Sequence, residues 1–437
     1  MRITNFSILL LIIFSGSLTA QVNTLEENIT LKNQKGEIIS IEENSHANKD
    51  GETVIYEVSN PSEKLVNEYL KMPIKGVNYH EAGPLPEAEY LSDMIYSTDG
   101  SKVFFLGRQS ESVTVFDVST KEVITNVTVG AGPLSIDIND NVAVVACHFD
   151  NALTIIDLSD YSTVDVYTSN RPTYVKINPA GTHAYVGVIN DVTSGTCEII
   201  NLSTYTVETT IADFPVRSVT LSFTTGHGRN YIKYNPFVFT QNGGYLLVCD
   251  KNNNVLNFYN TTFNTFETQI AIPGCMNLGI SPDSLTVYTT SADLNKVYRI
   301  DVTTQTIIGN GIEIPNGINK PTDIVSNSDG TKIYLGGNNN KGNLVDFVDN
   351  EVTLINSGTA NWCGVTYDRQ YAIHASYNFS IVNFNTEALE DNVSGYGTGV
   401  GAVSPNSYEA IGFAPVGFEG AHIFSFPTVS SINYEGI

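Results

Sequence analysis

Few residues of this 437-residue chain have the types and spacing to do chemistry, and the basic ones stand out. Lys and Arg together number 22 against 46 Asp and Glu, a formal net charge of −24, so any gathering of cations is conspicuous. One gathering lies in PVRSVTLSFTTGHGRNYIKYNP (215–236), where Arg217, His227, Arg229 and Lys233 accompany Tyr231 and Tyr234. Arg presents paired planar donors to a carboxylate or phosphate, and tyrosine rings offer apolar faces with a polar tip, suited to stacking on a sugar. The chemistry these types point to is capture of an anion or an acidic glycan. A second set is Arg108, His148, Asp250 and His374, which fall at one position of a repeating unit, the end of its second strand. Arg, His and Asp in a ring can hold an anion or, through the two histidines, a metal. The plainer alternative is a polar rim, and no metal is expected.

Recurring acids form a third set. Asp117, Asp157 and Asp301, with Asn201 in the same register, end third strands before Ser/Thr-rich turns, and Asp99, Asp283 and Asp329 sit in further turns. Asp and Asn bond the backbone two residues on and so fix turns, which is the reading adopted here over a general acid or a metal ligand. Nucleophile elbow, P-loop, dinucleotide fingerprint, haem-attachment CxxCH and EF-hand patterns are all absent. Ser, His and Asp occur at no spacing that selects a triad, so no catalytic residue is named and no cofactor is expected. The five cysteines, Cys147, Cys197, Cys249, Cys275 and Cys363, are scattered and odd in number. Without a CxxC or Cys/His cluster they argue against structural zinc and are expected to be buried thiols. The acidity, with a pI near 4.5, argues against nucleic acid and against docking on anionic lipid.

The elements that must position these residues are strands. YLSDMIYS (90–97), KVFFLG (102–107), VTVFDV (113–118) and VITNVTV (123–129) are rich in β-branched and aromatic residues, and Gly, Pro, Asp and Ser punctuate them. The same four-strand pattern restarts near residues 134, 174, 237, 276, 323 and 362, with an incomplete set from 400. Recurrence at about 40 residues is the mark of a propeller blade. A headless pair, TVIYEVS and PSEKLVNEYL (61–70), precedes the repeats, and a tailless set ends them. The predicted fold is therefore all-β: a closed β-propeller of four-stranded antiparallel blades, eight by count, with TVIYEVS expected in the sheet of YEAIGFAP (408–415). Seven is the count if the N-terminal pair is accessory. Closure leaves no blade edge unpaired.

The residues carry a family resemblance. VTVFDVSTKEVITNVTVGAGPLSIDIND followed by VAVVACHFDNALTIIDLS resembles the YVTN-type (YVTN/lactonase-like) propeller repeat, and STDG, NPAG, SPDS and NSDG are similar to that repeat's SPDG turn. The resemblance covers roughly residues 52–427. It implies the propeller fold and a range of roles: binding modules, surface proteins and enzyme-associated propellers. In propeller geometry first strands line the channel, while the loops from second to third strand and from fourth to first strand share the usual ligand face. The 215–236 insertion is such a fourth-to-first connection, unmatched in other repeats. It reads either as a lid beside the channel mouth or as a surface hairpin pairing VTLSF with YIKYN.

Residues 1–20, MRITNFSILLLIIFSGSLTA, read as a secretory signal peptide: Arg2, a short apolar core and a small-residue cleavage region. Residues 21–50 read as a polar acidic leader, 51–428 as the propeller and 429–437 as a tail. The expectation is a secreted binding module for a protein, glycan or small anionic ligand, with no nucleic-acid partner and no membrane insertion. The rivals are a lactonase-type hydrolase working at the channel mouth and a structural cell-surface or matrix protein.

Overall fold

The computed structural model describes residues 7–12, 29–32, 38–39, 54–59, 78–81 and 91–425, apart from 192–194, 217–236, 316–322, 336–340, 357–361, 376–377, 395–399 and 415–419. The chain divides into two compact units, Met1–Asn78 with Ser425–Ile437, and Tyr79–Phe424. Among the described residues there is no helix.

In the larger unit the alternation of apolar residues becomes eight four-stranded antiparallel sheets. Blade 1 consists of Leu91–Tyr96, Lys102–Gly107, Ser112–Asp117 and Glu122–Thr128, and blade 2 of Pro133–Ile138, Val142–Cys147, Ala152–Asp157 and Thr163–Tyr167. Five further blades follow in the same order, from Arg171–Ile177 in blade 3 to Ala388–Ser394 in blade 7. Second and third strands are buried on both faces, whereas fourth strands such as Glu122–Thr128 are mostly exposed. The period of two explains how one strand serves two interfaces. Ala143, Val145 and Cys147 face Phe104, Leu106 and Val115 of blade 1, while Val142, Val144 and Ala146 face Val175, Val186 and Val188 of blade 3. Each blade thus lends one face to each neighbour.

Two turn types repeat with the strands. From third to fourth strand the fourth residue beyond the capping Asp or Asn has positive φ: Lys121, Tyr161, Tyr205, Asn264 and Gln305. Its N–H donates back to the carbonyl of Asp117, Asp157 or Asn201 in blades 1 to 3, the bulged hairpin geometry. The expected side-chain role of the acids holds. Asp117 Oδ1 accepts from Ser119 N at 2.9 Å and Thr120 N at 2.8 Å, Asp157 Oδ1 from Ser159 N at 2.8 Å, and Asn201 Oδ1 from Ser203 N at 2.9 Å. Asp301 accepts from Thr304 N at 2.8 Å, Asp99 from Ser101 N at 3.0 Å, Asp283 from Leu285 N at 3.0 Å and Asp329 from Thr331 N at 2.9 Å.

The eighth sheet corrects one expectation. Its first three strands are Val400–Val403, Glu409–Ala414 and Gly420–Ser425, and its fourth is Asn78–Glu81. The termini do share a blade, but TVIYEVS is not the strand that completes it. Val54–Ser59 instead lies between Ser7–Ile12 and Ile29–Lys32, in the separate sheet that also holds Ile38–Ile39. Its likeness to VTVFDVS reflected the alternation any paired strand needs. The outer edge of blade 8 is filled by the segment that enters blade 1 a few residues later. The innermost strand of blade 8 lies against that of blade 1, and Ile411 joins Leu91, Met94 and Phe105 in one apolar cluster, so the ring of blades returns on itself.

Candidate functional site

Two of the four residues expected to share a rim come together. Arg108 follows the second strand of blade 1, and His148 follows that of blade 2. The loop after His148 is held by the link between blades 1 and 2: His148 N donates to Gly132 O at 3.1 Å, Phe149 N to Ala131 O at 3.0 Å, and Ala131 N to Asp150 Oδ2 at 2.6 Å. Gly132 has φ +64°, and a Cβ there would run into the Phe149 ring, so glycine is what lets the ring lie over the link. Phe149 is 58% exposed. The Arg108 guanidinium sits 5.8 Å from the Phe149 ring centroid, and the His148 ring meets the same phenyl edge-on at 5.3 Å.

His148 Nδ1 lies 3.1 Å from the carbonyl oxygen of Pro172 in blade 3. A carbonyl only accepts, so Nδ1 carries the hydrogen and Nε2 is left to titrate. Burial pushes the His148 pKa down; the Pro172 carbonyl works against that, and the charges of Arg171 and Arg108 add to the depression. Arg171, exposed at the start of blade 3, is thus a third basic residue of the cluster. It is not evident from the repeat pattern, because it begins a first strand, whereas Arg108 and His148 follow second strands.

The other two rim candidates are elsewhere. Asp250 pairs with Val255 as Gly107 pairs with Ser112 and Cys147 with Ala152, so it stands one residue earlier in the register than Arg108 and His148. It is buried and accepts from Asn253 N at 3.0 Å and Asn253 Nδ2 at 2.7 Å, which fixes its own loop. His374 pairs with Ser380, the place of Phe105 opposite Thr114 in blade 1. It lies fully buried within the sheet, its Nδ1 2.8 Å from the Tyr334 hydroxyl. A shorter hairpin in blade 7 displaced the alignment. Arg217, His227, Arg229, Tyr231 and Lys233 lie outside the described residues. Among the described residues no group of His, Cys, Asp or Glu is arranged to hold a metal ion.

A second feature was not read from the sequence: acids on the innermost strands. Asp137 in blade 2 accepts from Ile177 N of blade 3 at 2.7 Å and from Lys176 Nζ at 3.0 Å. Asp93 in blade 1 accepts from Ile136 N of blade 2 at 3.3 Å, and Asp323 accepts from Cys363 N of blade 7 at 3.2 Å. Burial would lower the Lys176 pKa, but the charge and hydrogen bond of Asp137, with the charge of Asp93, leave it raised. These carboxylates clasp successive blades. An acid interrupting an apolar first strand, as in LSIDIND, was the available signal.

The face with the first-to-second and third-to-fourth turns carries a cleft of about 960 Å³ between blades 1, 2 and 3, lined in part by Asp99, Asp157, Tyr161, His183 and Tyr205. Asp99 and Asp157 are occupied by their turns, and Asp140 accepts from the Thr98 hydroxyl of blade 1 at 2.5 Å. The Asp99 pKa is lowered to about 2 by the Ser97 hydroxyl and by the N–H and hydroxyl of Ser101. With Asp99, Asp140 and Asp157 against Lys102 and His183, acids outnumber bases in the cleft, so it is less suited to an anion than the basic cluster.

The basic cluster has a testable pH dependence. Burial and the neighbouring Arg171 and Arg108 charges hold the His148 pKa below the usual histidine value of about 6.5, so its neutral form predominates at pH 7. As pH falls through its pKa the imidazolium forms, so affinity for an anion is expected to rise, by about tenfold for one added charge-assisted bond of about 1.5 kcal/mol. The measurement is affinity for a sulfated oligosaccharide between pH 7.5 and 5. In His148→Gln the profile flattens; a wild-type profile that is already flat removes His148 from the site.

No protein-family model and no curated protein matches the chain. Solved structures do. Hydrazine synthase of Kuenenia stuttgartiensis superposes with a TM-score of 0.51 at 14% identity, covering 78% of this chain and 95% of that one. The Cps50 (Swd1) β-propeller domain of Myceliophteria thermophila gives a TM-score of 0.52 at 12% identity, covering 80% and 99%. At such identities the likeness concerns the fold, and the fold is a β-propeller.

Proposed function

We propose that this chain is an exported interaction module whose blade 1–3 rim captures a ligand bearing carboxylate, sulfate or phosphate groups, an acidic glycan or an acidic protein segment. The observation that carries this reading is the convergence of Arg108 and His148, from successive blades, on the half-exposed Phe149, with Arg171 next to Pro172, whose carbonyl meets His148 Nδ1. In a chain of net charge −24 most of the surface repels an anion, so a site where cations gather selects where one can settle. Phe149 adds an apolar platform on which a sugar ring or aliphatic stem can rest. The resemblance of the repeat to the YVTN type, a family with binding and surface members, supports the same reading, and the leader-like residues 1–20 support export.

The test uses a size-defined heparin-derived oligosaccharide as the sulfated probe and its desulfated counterpart as control, by calorimetry at low salt. Arg108→Ala/Arg171→Ala is expected to weaken binding of the sulfated probe about tenfold to a hundredfold, since charge-assisted bonds contribute about 1.5–3 kcal/mol when shielded and less at an exposed rim. Binding should also weaken with added salt, because screening at about 10 Å sets in near 0.1 M. Equal affinity of wild type and double variant, or equal affinity for the desulfated control, overturns the proposal.

A further inference from the structure

Blades 4 and 5 meet at two sulfur atoms. Cys249 lies in Tyr245–Asp250, the second strand of blade 4, and Cys275 opens Cys275–Ile280, the first strand of blade 5. Their Sγ atoms are 2.8 Å apart. Non-bonded heavy atoms keep about 3.5–4.0 Å from one another, so this separation is too short for two thiols at rest. It is also too short for a shared metal, since two sulfurs on tetrahedral zinc with bonds of about 2.3 Å stand about 3.7 Å apart. What brings two sulfurs this close is the approach to a bond between them.

The setting agrees. Cys275 is fully buried and Cys249 nearly so, and the Thr289 hydroxyl stands 3.4 Å from each sulfur, which aims both at one point. Cys147 and Cys197 sit apart from this pair: Cys147 is held against Thr154 and Val145 in the blade 1–2 core, and Cys197 packs among Tyr185, Phe214 and Phe237 between blades 3 and 4. In the sequence the pair is hidden, because 249 and 275 belong to different repeats. The fourth strand Thr265–Ala271 separates them along the chain, yet it lies at the outer edge of blade 4, away from the meeting point.

We infer that Cys249 and Cys275 close into a disulfide that ties the second strand of blade 4 to the first strand of blade 5. The step balances as a thiol–disulfide exchange with a small external disulfide such as oxidised glutathione. The thiolate of Cys249, the more accessible sulfur, attacks one sulfur of the reagent and releases one glutathione thiolate. The Cys275 thiolate then attacks the Cys249 sulfur of the mixed disulfide and releases the second. Two protein thiols are oxidised, two protons leave, and one external disulfide is reduced to two thiols. The exchange belongs to folding, before the interface between blades 4 and 5 excludes the reagent, and to an oxidising compartment.

The experiment uses the full chain, folded in a buffer of oxidised and reduced glutathione. Thiols are blocked in denaturant without reductant, and the protein is digested with trypsin. Lys251 is the one Lys or Arg between the two cysteines, so cleavage there separates peptide 234–251 from peptide 252–296. The expected result is a covalently joined pair of these peptides that disappears on reduction, with Cys147, Cys197 and Cys363 recovered in blocked form. Cys249→Ser should release Cys275 to the blocking reagent, and Cys275→Ser should release Cys249. Recovery of both Cys249 and Cys275 in blocked form from the wild type overturns the inference, as does linkage of either to another cysteine. The wild-type measurement stands even if neither serine variant folds.

Discussion

Asp137→Ala is expected to destabilise the propeller by about 2–4 kcal/mol. The carboxylate is 5% exposed and serves two donors of the next blade, Ile177 N at 2.7 Å and Lys176 Nζ at 3.0 Å. Alanine leaves both without their acceptor. An unsatisfied buried N–H costs about 1–3 kcal/mol, and breaking one side of a buried ion pair costs about 3–5 kcal/mol when the remaining charge is shut off from water. The Lys176 side chain keeps 39% of its surface accessible, so water takes up part of its charge and the sum is reduced. Asp137→Asn separates the two contributions. The amide oxygen can still accept from Ile177 N while the charge is gone, so a loss of about 1 kcal/mol is expected. The measurement is the urea midpoint of the three proteins with an unchanged slope. An alanine variant within about 0.5 kcal/mol of wild type, the range of an ordinary surface substitution, would show that the clasp contributes nothing to holding blade 2 to blade 3.

The blades were legible in the sequence because each depends on local chemistry that is written locally. The alternation in KVFFLG and VAVVAC records burial on two faces, and the Asp–Ser–Thr runs after 117 and 157 record turns whose hydrogen bonds the structure contains. Register was less legible. It is set by which residue opens each hairpin, and a hairpin shortened in blade 7 carried His374 three positions inward while leaving its strand looking the same. The clasp residues Asp93, Asp137 and Asp323 were passed over because their partners are backbone N–H groups roughly 40 residues away, which no side-chain pattern announces. The basic cluster was half legible for a similar reason. Arg108 and His148 share a repeat position, but Arg171 comes beside His148 from a first strand, next to Pro172, whose carbonyl meets the imidazole. The closing strand Asn78–Glu81, NYHE, has too little apolar alternation to be recognised, and it is a strand because the open edge of Gly420–Ser425 pairs with it.

Gly401→Ala is expected to destabilise the ring by about 3 kcal/mol, at the upper end of what overpacking costs. Gly401 lies in the first strand of blade 8 and faces Trp362 in the first strand of blade 7. A Cβ at 401 would fall on the indole itself, far inside contact distance of Cε2, Cζ2 and Nε1. Trp362 is 3% exposed, so the rigid ring has nowhere close to retreat, and Gly364 is packed closely against Val403 beside it. Backbone conformation is not the issue, because Gly401 is not among the positive-φ glycines. Gly309→Ala supplies the contrast: φ is +72° and nothing lies within 4 Å of the added Cβ, so only the left-handed strain of about 1–2 kcal/mol is felt. Trp362 is the sole tryptophan of the chain, so its fluorescence reports on this one interface. Emission should shift to the red in Gly401→Ala as the ring is pushed toward water, and stay unchanged in Gly309→Ala. The double variant Trp362→Leu/Gly401→Ala, followed by circular dichroism, should be less destabilised than the two single losses added together, since the smaller side chain makes room for the methyl. Additive losses with an unshifted emission maximum would mean that Trp362 and Gly401 are not in contact, and that the packing of blade 7 on blade 8 is not set by this pair.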